Sequence, residues 1–152
     1  MELKKAPKKR IGEILIDEGF LNLKDLEKAL EVQKKEGGLI GGILVKLGFV
    51  SEENMVLALS KQLSIPYIGL GSYHINRNAL KLIPKEVAER YTLFPFEQEE
   101  ARISVAMADP LNQEALEAIE KRVPSKVQVF LALTSDILDA IHLYYGEMAE
   151  KR

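Results

Sequence analysis

The sequence predicts an α+β fold, with four short helices from a tandem repeat packed on a small C-terminal mixed sheet with helices in the order ββαβα. Two observations carry this. Arg10–Gln33 and Leu39–Gln62 are one 24-residue pattern written twice across a five-residue spacer, identical at nine positions, where unrelated stretches of average composition share about one or two. After Pro66 the apolar period changes from helical spacing to the alternation of strands.

Each copy reads as a short helix, a glycine stop and a longer helix. In the first, Ile11, Ile14 and Leu15 keep helical spacing and Gly19 stands where a left-handed C-terminal cap is wanted. Asn22 caps a second helix over Leu23–Glu36, with Asp25 three residues on, and Leu23, Leu26, Leu30 and Gln33 share one stripe of it. Gly37 and Gly38 end it. The second copy repeats the plan with Ile40, Ile43 and Leu44, the stop at Gly48, the cap Ser51 and a helix from Glu52 to Leu63. None of these helices is long enough to be stable alone.

Residues 64–72 read as an extended linker and the boundary between subdomains, because proline restricts its neighbour. Asn76–Ile83 reads as a turn of helix, and Pro84 suits the first position of a helix over Lys85–Tyr91. Leu93–Glu97 and Arg102–Ala108 make a hairpin whose first strand Pro95 demotes to an edge. Asn112 opens a helix to Arg122, Lys126–Leu133 is a strand, Thr134 caps a helix over Ser135–Tyr145, and Gly146 stops it. The segments are therefore a basic arm (1–9), a tandem-motif helical subdomain (10–63), the linker (64–72), an α/β subdomain (73–146) and a tail (147–152).

A chain of 152 residues with 47% apolar and 29% charged residues is globular. No apolar run reaches the roughly 18–20 residues of a membrane span, and the start MELKKAPKKR has no apolar signal core. With no cysteine, disulfide scaffolds and Cys-ligated zinc are excluded, and a reducing cytoplasm is the expected setting. A net charge of −2 argues against a general DNA or RNA binder, although the first ten residues carry +4. That arm is either a solvated terminus or an attractor for phosphate and anionic lipid. There is no phosphate loop, no GxSxG and no HExxH, and His74 and His142 stand in unrelated contexts. The sequence offers no catalytic set, and the expectation is a protein that is not an enzyme and has no metal or cofactor.

What it offers is polar residues in an apolar motif. Gln33 and Gln62 recur at one repeat position, and each needs either an internal hydrogen bond or a ligand. Gly12 and Gly41 sit in the first turn of a helix, where glycine costs about 1 kcal/mol, so either a neighbouring helix or a ligand approaches closely. Two equivalent half-sites suit a ligand that is itself two-fold symmetric.

The double motif (RIGEILIDEGFLNLKDLEKALEVQ and LIGGILVKLGFVSEENMVLALSKQ), followed by LSIPYI, LIPKEVAERYTLFPF, AMADP and LYYG, resembles the MshEN or GspE N-terminal domain family, the N-terminal regulatory domain of bacterial type II secretion and type IV pilus assembly ATPases. The resemblance spans Arg10–Gly146. It implies a receptor for cyclic di-GMP in which each copy wraps one guanylyl half. Arg10 would stack on or hydrogen-bond a guanine. Ile11, Leu15, Leu21, Leu26 and Leu30 would give apolar contacts in the first half-site, and Gln33 a polar one. Ile40, Leu44, Val50, Met55, Leu59 and Gln62 would take those places in the second. Gly12, Gly41, Gly19 and Gly48 would permit close approach and set the turns. Asp109 is a candidate acceptor for a guanine N–H or a partner of Arg10, or else a cap for the helix that follows it. The family's ATPase engine lies outside this sequence, so the resemblance points to an excised or free-standing module. It would be cytoplasmic, held peripherally at the inner membrane through a partner.

The chain departs from the family pattern at the second arginine position, which is Leu39. An arginine contact is worth roughly 1.5–3 kcal/mol, so the second half-site is expected to be weaker unless Lys8 or Lys9 compensates. The alternative function is a docking domain whose groove takes a helix of a membrane-anchored assembly protein without nucleotide. A DNA-binding helix-turn-helix ranks third, because the second helices carry too little positive charge.

Overall fold

The structure, a computed structural model, describes residues 10–124 and 126–146; the basic arm and the C-terminal tail lie outside the described residues. The chain divides into two compact units, the first ending at Ser64 and the second beginning at Ile65.

The first unit is four helices: α1 (Ile11–Asp17), α2 (Leu23–Glu36), α3 (Ile40–Lys46) and α4 (Glu52–Leu63). Their ends are set by local chemistry. The Asn22 side chain accepts from the Asp25 N–H at 2.8 Å and the Ser51 hydroxyl from the Asn54 N–H at 3.1 Å. At Gly19 (φ +82°) and Gly48 (φ +83°) the two short helices close identically. The Phe20 N–H reaches the Leu15 carbonyl at 2.9 Å, and the Phe49 N–H reaches that of Leu44 at 3.0 Å, the six-to-one bond of a Schellman cap. A Cβ at either glycine would meet nothing within 4 Å, so only the backbone conformation requires glycine. Gly48→Ala is therefore expected to cost about 1 kcal/mol, net of its smaller unfolded-state entropy. For a unit this small that is a loss of about 4–8 °C in Tm, read by thermal circular dichroism.

The pairing of these helices is reciprocal. α1 packs on α4 and α2 packs on α3, so each copy's short helix lies against the long helix of the other copy. Glu18, which caps α1, is ion-paired with Lys61 of α4. The exchange buries Ile14, Leu15, Leu21, Ala29, Leu44, Val50, Met55 and Ala58 in one core. Neither repeat has such a core by itself.

The second unit holds a three-stranded sheet in the order β1-β2-β3: β1 (Leu93–Glu99), β2 (Arg102–Met107) and β3 (Lys126–Leu131). β1 and β2 are antiparallel and β2 and β3 are parallel, so the sheet is mixed. The parallel pair is joined through α6 (Gln113–Arg122), which Asn112 caps by accepting from the Ala115 N–H at 3.0 Å. β1 is an edge strand, and its register shifts between Pro95 and Glu97, where the imino acid gives no ladder hydrogen. α5 (Lys85–Tyr91) and α7 (Thr134–Ala140) pack against the strands around Phe94, Phe96, Ile103 and Ile137.

The structure corrects several expectations. Within the expected extended linker, residues 66–68 are tied to the end of β3 by one isolated parallel bridge, in which the Ile68 N–H donates to the Leu131 carbonyl at 2.8 Å and the Leu131 N–H to that of Pro66 at 2.8 Å. Pro84 is the N-cap of α5, with ψ 153°, rather than its first residue. β1 runs on to Glu99 and β3 stops at Leu131. Residues 77–82 form a 3-10 turn. The last helix opens at Thr134 and passes at Ile141–Tyr145 into a π turn whose C-cap is Gly146, itself in helical conformation (φ −63°). There the buried Tyr145 hydroxyl donates to the Ile83 carbonyl at 2.7 Å. Satisfying that carbonyl while both aromatic neighbours Tyr144 and Tyr145 pack on Phe94 accounts for the wider turn.

Candidate functional site

The first unit carries a groove of about 530 Å³ lined by Ile11 from the first copy and Leu39, Ile40, Gly41, Gly42, Val45, Lys46, Glu52, Met55, Leu59 and Gln62 from the second. Reciprocal packing explains this mixture, since α1 lies on α4 and brings Ile11 to the second copy's helices. Gly41 shapes the wall, because a Cβ there would stand 3.3 Å from the Met55 sulfur. A volume of this size is that of a small-molecule site. Its walls are mainly aliphatic, suited to the face of a planar base, with Gln62 offering an amide donor and acceptor.

The expected site residues are distributed unevenly. Ile11, Leu39, Ile40, Gly41, Met55, Leu59 and Gln62 come together around the groove. Leu15 and Leu44 have 0% exposure, and Leu21 and Val50 are also buried, so these four hold the helices together and present almost no surface. Gly12 is buried against Leu26, whose Cδ1 would lie 3.0 Å from an added Cβ. This is close packing by the chain's own side chain. The Gln33 amide donates to the Gly38 carbonyl at 3.0 Å, the internal partner foreseen as one of its two options. Arg10 is exposed at the N-cap of α1, where its backbone N–H donates to the Glu13 carboxylate at 3.2 Å. Leu30 is exposed on α2, and Gly19 and Gly48 are exposed at the helix ends. Asp109 lies in the second unit and accepts from the Leu111 N–H at 3.3 Å, a turn ahead of α6, whose cap is Asn112. Lys8 and Lys9 lie outside the described residues.

Sequence reasoning missed Gly42, Val45, Lys46 and Glu52. The signal for Lys46 was in the repeat itself, whose eighth position is Asp17 in the first copy and a lysine in the second.

A second cavity, about 630 Å³, lies in the second unit beside Tyr73, His74, Asn76, Arg77, Glu97 and Tyr144. Glu97 accepts from Asn76 Nδ2 at 3.0 Å, from the Tyr73 hydroxyl at 2.8 Å and from the Gln98 N–H at 3.2 Å. The Asn76 bond first, then Tyr73, holds its carboxyl below the usual glutamate range, and the same Tyr73 bond pushes that phenol up. The Arg77 guanidinium lies 4.9 Å from the Tyr144 ring centre. With its oxygens occupied by the chain's own donors, Glu97 ties the turn after Asn76 to β1. A depressed folded pKa contributes stability above the unfolded pKa and loses it as pH falls through the folded value. The second unit should accordingly weaken on acidification below the glutamate range, and Glu97→Gln should flatten that dependence. Urea unfolding at neutral and acidic pH followed by tyrosine emission reads this, because all five tyrosines lie beyond Ile65.

Comparison with known proteins locates this arrangement. The family model described as the MshEN domain matches residues 63–151. The chain is 36% identical over 138 residues to the type IV pilus assembly ATPase PilB of Myxococcus xanthus, covering 91% of this chain and 24% of that protein. It is 30% identical over 142 residues to PilB of Thermus thermophilus, covering 92% of this chain and 16% of that protein. The chain thus spans a quarter or less of these relatives. Among solved structures, MshE with cdg superposes with a TM-score of 0.79 at 32% identity, over 91% of this chain and all of that one. The family model takes in the sheet-bearing unit, and the likeness to MshE extends over the groove-bearing helices as well; the chain belongs to the MshEN domain family.

Proposed function

We propose that this chain is a cyclic di-GMP-binding regulatory module of a pilus or secretion ATPase system, in which the two repeat motifs serve the two halves of the dinucleotide. The observation that carries the reading is the groove of about 530 Å³ built from second-copy motif residues on a backbone shared with MshE, whose structure contains cdg. Ile40 and Leu59 supply apolar surface for a guanine face, and Gln62 hydrogen-bonding groups for its edge. The module reads a nucleotide and hydrolyses none. Occupancy passes to a motor or assembly partner in the cytoplasm, at the inner membrane where that partner is anchored. No helix among the described residues is long and apolar enough to cross a membrane.

Titration calorimetry of the folded chain with cyclic di-GMP is expected to give saturable heat. Its absence at high micromolar ligand would remove the reading. The docking alternative draws on the same apolar walls and on Leu23 and Leu30, both exposed on α2. It is favoured if an assembly partner is captured equally by the wild type and by Arg10→Ala while nucleotide never binds.

A further inference from the structure

Among the positions at which the two copies of the motif differ in charge, two stand at the opposite ends of one helix. At the first, Arg10 is matched by Leu39; at the eighth, Asp17 is matched by Lys46. Leu39 is the N-cap of α3 and Lys46 its last residue. Seven residues make almost two whole turns, so both stand on one face of α3, about 10 Å apart along its axis. That face borders the groove, which both residues line. Leu39 is 84% exposed and has no charge to offer a ligand. Lys46 is exposed, and no carboxylate among the described residues pairs with it.

We propose that Lys46 is the cationic contact of the second half-site, engaging a phosphate of the bound dinucleotide in place of the arginine that position 39 lacks. This rests on the reading of the groove as a cyclic di-GMP site. The long, flexible lysine stem spans the distance from the far end of α3 that a short side chain would not, and an ammonium serves as a point charge for phosphate where a planar fork would be needed for guanine. The second half-site therefore recognises the diester more than the base edge.

The test is a cyclic di-GMP titration of the whole chain at low and high salt, for the wild type, Lys46→Gln, Lys46→Arg and the double variant Lys46→Gln with Leu39→Arg. Thermal melts establish that each is folded. The expected result is about tenfold weaker binding for Lys46→Gln at low salt and a flatter salt dependence. Lys46→Arg should keep both, and Leu39→Arg should restore affinity to the double variant. A lysine that serves only the C-terminal dipole of α3 would shift the melting temperature and leave the salt dependence alone. A wild type that binds, with Lys46→Gln within twofold of it and equally salt-sensitive, overturns the role of Lys46 alone. A wild type that binds nothing overturns the site and this role together.

Discussion

Leu44→Ala is expected to melt the helical unit while the sheet unit persists. Leu44 has no exposed surface and lies in the core where the exchanged helices meet, with Leu15 as its repeat equivalent in the same state. Truncating a buried leucine costs about 2–5 kcal/mol, and a unit of this size has roughly 3–5 kcal/mol in total. The loss is therefore comparable with the whole stability of the unit. Far-UV circular dichroism should show most of the helix signal of residues 10–64 lost at room temperature. Tyrosine emission should still report a cooperative transition, since no tyrosine precedes Tyr67. If Leu44 were instead a ligand contact, the variant would stay folded and only binding would change.

Arg10→Ala should weaken cyclic di-GMP binding at least tenfold, and Leu39→Arg should strengthen it or leave it unchanged, provided the groove is the site we propose. A charge-assisted contact to a phosphate or guanine is worth roughly 1.5–3 kcal/mol, or about 10–100-fold in affinity. Both substitutions separate binding from folding. Arg10 is exposed and its tie to Glu13 runs through its backbone N–H, which alanine keeps. Leu39 contributes its backbone carbonyl to the Ile43 N–H at 3.1 Å, and any residue supplies that. Calorimetry on the two variants and the wild type reads the outcome. Unchanged affinity in Arg10→Ala would mean that the first half-site does not use its arginine.

The helical unit was legible almost to the residue because its boundaries rest on local chemistry. Asn22 and Ser51 cap the long helices through their own side chains, and Gly19 and Gly48 end the short ones in a conformation other residues resist. Pro95 marked the edge strand for an equally local reason. The misreadings are non-local. The bridge from Tyr67 to Leu131 was not legible because its two residues are far apart along the chain. The π turn at Ile141–Tyr145 answers to Ile83 and Phe94, which no window around it contains.

The site divides in the same way. The repeat by itself marked the candidate positions, paired them between the two copies and placed Leu39 where the first copy has Arg10. Only the tertiary structure decided which of those positions face outward. A stripe of helical period names a face without saying whether another helix or a ligand covers it, and the exchange of α1 and α3 between copies settled that. It sent Leu15 and Leu44 to zero exposure, left Leu39 at 84%, and drew Lys46 to the rim of the groove. Spacing is a property of one segment, whereas burial belongs to the pair of segments that meet.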